Sequence, residues 1–153
     1  MRVVLKDVRL SFPDLWEPKA FGNDQASKPA YGAAFLFPPG HPAQALMEQA
    51  IEAVAREKWG AKADSVLKTL RASGKVCIQD GNAKDYDGYS GMLYVPARTY
   101  TAPVVVGRRK NPLNAQSGIP YAGCYVNAVV DVWPQDNQFG RRINAGLSVV
   151  QFV

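Results

Sequence analysis

The run from Tyr121 to Pro134, YAGCYVNAVVDVWP, constrains the fold more than any other stretch of the chain. Cys124, Val126, Ala128, Val130 and Val132 recur at every second position, the period of a strand with one buried face and not that of a helix. Tyr125, Asn127, Asp131 and Trp133 fall on the opposite face. After a connection at Gln135 to Gln138, read as longer than a strict two-residue turn, Phe139 to Val153 returns as a second strand. That strand opens with Arg141 and Arg142 and carries Leu147, Val149, Val150 and Phe152 further on. A long hairpin of this kind commits the chain to a sheet, and 153 residues suffice for one domain spanning 1–153 with its own core.

The remaining elements are read from the same patterns. Val3 to Phe12 is predicted as a strand with Val4, Val8, Leu10 and Phe12 on one face, ended by Pro13. Asp14 to Pro29 is predicted as a long loop carrying Trp16, Lys19 and Phe21; its length and its aromatic-basic content suggest function. Ala30 to Phe37 is a further strand, with Tyr31, Ala33, Phe35 and Phe37 on one face and Gly32 and Ala34 leaving room on the other. Pro42 to Trp59 is the clearest helix, with Pro at its start, Gly60 just past its end, and a stripe of Leu46, Met47, Ala50, Ile51, Val54, Ala55 and Trp59. A short second helix from about Ala63 to Arg71 buries Val66, Leu67 and Leu70, and Lys75 to Ile78 suits a short strand.

Gly91 to Tyr100, GMLYVPARTY, has two unlike faces. Leu93, Val95 and Ala97 suit a core; Tyr94, Arg98 and Tyr100 offer two flat rings and a guanidinium on one surface. Pro96 requires an edge or a bulge there. Thr101 to Val106 continues extended, and Gly107 to Pro120 is a long polar, flexible loop with three consecutive cations, Arg108, Arg109 and Lys110. The net charge of +5 is concentrated in this half: residues 89–153 hold six Lys/Arg against two acids. A polyanion would therefore meet surface built mainly from the second half of the chain.

Other chemistries find little support. Asp80, Asp85 and Asp87 lie in one turn-rich stretch, but the sixth position of a calcium loop counted from Asp80 is Asp85 in place of Gly, and the twelfth is Gly91 in place of Glu. A nuclease holding magnesium on these acids would lack a Glu or His to complete the site. Two cysteines, Cys77 and Cys124, and one histidine, His41, form no metal or disulfide framework, so neither a metal nor a cofactor is expected. The N-terminus has no signal-peptide pattern and no stretch reaches membrane-span length, which makes reducing cytoplasm the expected compartment.

The segments VRLSFPDLWEPKAF (8–21), YGAAFLF (31–37), EKWG (57–60), QDG (79–81), GMLYVPAR (91–98) and IPYAGCYVNAVVDVW (119–133) together resemble the phage single-stranded DNA-binding proteins with an OB fold, in register over nearly the whole chain. The resemblance implies a mainly β domain with one main helix, a five-stranded, partly open antiparallel OB barrel with long loops. It also implies sequence-independent binding of single-stranded DNA in phage replication or recombination, without catalysis, in the cytoplasm of the host cell, beside phage replication proteins. The oligomeric state stays open, a homodimer included.

The candidate contacts come from this chain's own residues: Tyr94, Arg98, Tyr100 and Tyr125 from strand parity, and Trp16, Lys19, Arg108, Arg109, Lys110, Arg141 and Arg142 from position and charge. Many proteins of this function end in an acidic tail that recruits partners, whereas this sequence ends SVVQFV. A structural or interaction module of a phage particle is the competing class, since a barrel alone does not specify function.

Overall fold

The computed structural model describes residues 1–20 and 28–153. Its elements in chain order are β1 (Arg2–Lys19), β2 (Ala30–Phe37), α1 (Pro42–Trp59), α2 (Ala63–Ala72), β3 (Gln79–Asp80), β4 (Leu93–Thr99), β5 (Val104–Val106), β6 (Tyr125–Asn137) and β7 (Gly140–Phe152). The sheet runs β3-β4-β2-β1-β6-β7-β5, and a further β4–β7 pairing joins the strands next to its two ends. Strands β1, β2, β4, β7 and β6 therefore form a closed five-stranded barrel, the OB-type architecture expected, with β3 and β5 added at its margins. It is closed where a partly open barrel was expected, and the closing contact, Arg98 opposite Gly146, is parallel. Pro96 falls between the segment of β4 that pairs with β3 and the point that meets β7, where no second partner needs its missing N–H.

Parity along β1 differs from simple alternation. Val3, Leu5, Val8, Leu10 and Leu15 are buried, while Val4 and Phe12, expected on one face with Val8 and Leu10, are exposed. The register with β6 shifts between Leu5 and Val8, and Asp7 there has φ 53°; the register with β2 shifts again between Ser11 and Asp14, where Phe12 has φ 46°. Each irregularity turns the following residues to the other face. Pro13 consequently sits at a bulge and does not end the strand, which continues to Lys19 through most of the stretch expected to be a loop. Phe21, named with that loop, lies outside the described residues.

The barrel interior is filled by Phe35, Phe37, Val95, Val126, Val130, Val132, Ile143 and Val150, each at most 1 % exposed. Each such side chain contributes about 1.5–3 kcal/mol by leaving water. Helix α1 packs on β1 and β6 through Met47, Ala50, Ile51, Val54 and Ala55; Leu46, expected in this stripe, is exposed beside β1. Both ends of α1 are tied down. His41 caps the start, its Nδ1 accepting from Ala43 N at 3.0 Å while Nε2 donates to Asp7 O at 3.1 Å. At the far end the Trp59 indole N–H donates to Asp136 Oδ2 at 3.0 Å, reaching the β6–β7 hairpin.

Smaller differences follow from the same packing. Lys75 to Ile78 is not a strand; it is held by backbone bonds from Lys75 N to Leu70 O and from Ile143 N to Lys75 O. The extended stretch expected from Thr101 reduces to β5. The β6–β7 link is a two-residue turn, Gln138-Phe139, closed by the Asn137–Gly140 pair. In β7 the register shifts opposite Val129/Val130, which brings Leu147 and Val150 both inward.

Asp136 gives a testable pH response. The Trp59 N–H, aided by Arg141 and Lys58, holds its carboxyl below the ordinary value. A carboxylate so depressed adds stability above its unfolded pKa and loses it as pH falls through the lower folded value. Urea unfolding followed from about pH 7 to about pH 3 should show a shallower acid loss for Asp136→Asn than for wild type. Superimposable pH profiles would refute this role.

Candidate nucleic-acid interface

Alternation in β2 and β4 creates two apolar layers. Phe35, Phe37, Val95 and Ala97 point into the barrel, while Ala34, Leu36 and Tyr94 form a second cluster outside it with Tyr89. Tyr94 lies on the non-core face, as its parity indicates, but it is only 8 % exposed. Its ring is therefore largely covered, in contrast to the open stacking face expected, and the covering group is the loop between β3 and β4.

That loop folds back for local reasons. The Asp80 carboxylate accepts from Asn82 N at 2.9 Å, and Asn82 Oδ1 accepts from Gly91 N at 2.8 Å. Gly81 donates to Met92 O at 2.7 Å, and a Cβ there would stand 2.2 Å from Tyr89 O, so only glycine permits this approach. The Tyr89 hydroxyl donates to Ser11 Oγ at 2.9 Å and anchors the loop to β1. Asp80 thus serves as a turn cap, and among the described residues no three His, Cys, Asp or Glu side chains come together as a metal site.

The result is a ladder of four rings. Phe12 meets Tyr86 edge-on at 4.9 Å, Tyr86 meets Tyr89 at 5.3 Å, and Tyr89 meets Tyr94 at 5.2 Å. Phe12 and Tyr86 form its open end, 57 % and 50 % exposed. Burial pushes the Tyr89 and Tyr94 hydroxyls above their ordinary value, so neither places negative charge on the surface at neutral pH.

Beside the ladder the barrel surface is hollowed. Two adjoining depressions of about 570 and about 850 Å³ share Gln79, Pro96, Arg98 and Arg142 in their walls. The first contains the ring ladder; the second contains Tyr100 and Trp133. Arg98 stands at the junction, with Gly32 opposite it on β2 and Gly146 opposite it on β7. Partial burial lowers its pKa; the Tyr100 hydroxyl opposes this and the neighbouring Arg142 adds to it. A larger hollow of about 910 Å³ lies between β1 and α1, but among the described residues no Phe, Tyr or Trp lines it.

Of the other predicted contacts, Tyr100 lines the second depression, whereas Trp16, Lys19 and Arg141 line neither. Tyr100 is 65 % exposed, with the Lys28 ammonium 4.6 Å from its ring centre. Trp16 is at the surface of the β1 extension, next to buried Leu15, and Lys19 pairs with Asp14 at 3.0 Å. Arg141 pairs with Asp136 at 3.4 Å, behind the exposed hairpin tip that carries Phe139.

Arg108, Arg109, Lys110 and Tyr125 are not in the groove. The cations occupy a tight turn set by Gly107 N to Asn111 O at 2.8 Å and Lys110 N to Gly107 O at 2.9 Å. The Arg108 guanidinium lies 5.5 Å from the Phe152 ring centre and donates to Val153 O at 3.3 Å. The three cations thus lie in a hydrogen-bonded turn at the start of the long polar loop expected. Phe12, Tyr86, Tyr89 and Phe139 were missed by strand reasoning; the nearest sequence signal was the pair of tyrosines three apart inside the polar run DYDGYS.

A family-wide profile described as Enterobacter phage Enc34, ssDNA-binding protein, matches residues 1–153. The chain belongs to this family. Protein p50 of Acyrthosiphon pisum secondary endosymbiont phage 1 is 40 % identical over 157 residues, covering 99 % of this chain and 83 % of that protein. The single-stranded DNA-binding protein of bacteriophage Enc34, solved in complex with ssDNA, superposes with a TM-score of 0.81 at 27 % identity, over 99 % of this chain and 85 % of that one. The bacteriophage T7 single-stranded DNA-binding protein gp2.5 shares the fold at a TM-score of 0.64 and 13 % identity, over 99 % of this chain and 91 % of that one.

The burial difference within the ladder makes a prediction about stability. Tyr94→Ala should cost about 2–4 kcal/mol in urea unfolding, as removal of a packed aromatic does. Tyr86→Ala, at the exposed end, should change stability by about 0.5 kcal/mol or less. Equal losses would mean that the two rings are equally buried in solution.

Proposed function

We propose that this protein binds single-stranded DNA largely without regard to sequence, by laying bases on the ring ladder and on Tyr100 and Trp133 and by seating phosphates on Arg98 and Arg142. The observation that carries the reading is the groove itself, where open aromatic faces and two adjacent guanidinium groups meet on one outer surface of the barrel. Bases of any identity present a π-face, so stacking confers affinity without sequence preference, and the arginines supply the electrostatic part. Membership of a family described by its single-stranded DNA-binding member supports this use of the groove, as does the similar fold solved with bound ssDNA.

In this reading residues 1–153 act as one binding domain by association alone. Both cysteines are buried; burial pushes the Cys77 thiol up to about 12 and raises that of Cys124, so neither supplies a thiolate nucleophile. The setting would be phage DNA replication or recombination in the host cytoplasm, in company with phage replication proteins. Among the described residues no helix is long and apolar enough to cross a membrane.

Fluorescence anisotropy with a labelled single strand, challenged by the matching duplex and repeated at several salt concentrations, tests the proposal. The expected result is tight single-strand binding that duplex competes for poorly and salt weakens. Arg98→Ala/Arg142→Ala should flatten the log–log salt slope by about 0.7 for each phosphate that is no longer neutralised. Tyr86→Ala should cost about 1–3 kcal/mol of binding with the slope retained. Absence of binding at low salt would sink the reading.

A further inference from the structure

The register of the sheet places a second aromatic station in line with the first. Tyr125 on β6 is directly opposite Arg9 on β1, Arg9 is opposite Leu36 on β2, and Leu36 is opposite Tyr94 on β4. Directly opposed residues project from the same side of a sheet, and Leu36 and Tyr94 are on the outer side. The row therefore runs on the outside of the barrel, from the covered end of the ring ladder, through Arg9, to Tyr125.

Arg9 is held at the crossing point. Its Nε donates to Gly123 O at 3.1 Å, so the guanidinium is oriented along the surface. A Cβ on Gly88, in the ring-bearing loop, would lie 4.0 Å from one terminal nitrogen, and a Cβ on Gly123 would lie 3.8 Å from the other. Both glycines thus lie against the fork, which sits between the two aromatic stations.

Beyond Arg9 the surface changes character again. Tyr125 and Tyr121 are exposed, Tyr121 lies 6.3 Å from Phe152, and Arg108 also packs over Phe152. Among the described residues no Asp or Glu side chain pairs with Arg9, Arg108, Arg109 or Lys110. Rings flanked by cations without Asp or Glu partners suit the same polyanion as the groove.

We propose that a single strand filling the groove continues across the barrel along this row, with Arg9 holding a phosphate between the ring ladder and a second stacking station at Tyr125. This rests on the groove binding single-stranded DNA. It adds that the site extends beyond the groove and that Arg9, on the first strand of the chain, belongs to it.

The test is anisotropy with oligothymidines from about 4 to about 16 nucleotides, the range a single OB barrel covers. Wild type should gain affinity with length until both stations are filled. Arg9→Ala/Tyr125→Ala should bind the shortest strands as wild type does and lose about tenfold or more on the longest, as removal of a stacked base requires. Tyr125→Phe, which keeps the ring, should retain long-strand affinity, and Tyr125→Leu should lose it. A length profile in the double variant that superimposes on wild type would overturn the extended path and leave the groove reading intact. No binding by wild type at any length would overturn both.

Discussion

Closure of the barrel through one parallel contact, Arg98 against Gly146, is the constraint on which the rest of the surface depends. It brings the start of β7 alongside β4, and so brings Arg142 next to Arg98. Without that contact the two guanidinium groups would sit on separate strands of an open sheet. Glycines on both sides of Arg98 keep the junction low enough for a ligand to pass over it.

The core makes that closure possible. Val95 and Ala97 on β4, Ala145 and Leu147 on β7, and Phe35 on β2 bury their side chains in one interior. The outer faces of the same strands are then left for other uses. On β2 and β4 that outer face is not bare: a smaller apolar layer of Leu36, Tyr89 and Tyr94 covers it and supports the exposed rings of Phe12 and Tyr86 from below. A stacking surface built on packed rings loses little conformational freedom when it meets a ligand.

How much of this could be read from the chain depended on local regularity. The face of β6 was legible because alternation from Cys124 to Val132 is uninterrupted, and α1 was legible because its stripe, its Pro and its Gly agree. The face of β1 was not, because Asp7 and Phe12 adopt positive φ and each shifts the parity. Phe12 is therefore on the surface although alternation placed it on one face with the buried Val8 and Leu10. Tyr94 was assigned to the correct side, but its burial depends on a loop that folds over it through Gly81 and Asn82, contacts that no periodicity reports. Arg98 and Arg142 were legible as cations; that they adjoin is a property of the closed barrel.

The most direct test of the account is to find where a strand touches the protein. Photocrosslinking with a single strand carrying halogenated pyrimidines, followed by mass spectrometry of the modified peptides, gives that map. The account predicts crosslinks on Phe12, Tyr86, Tyr100 and Trp133. Crosslinks confined to the hollow between β1 and α1, around Met1 and Leu46, would contradict it.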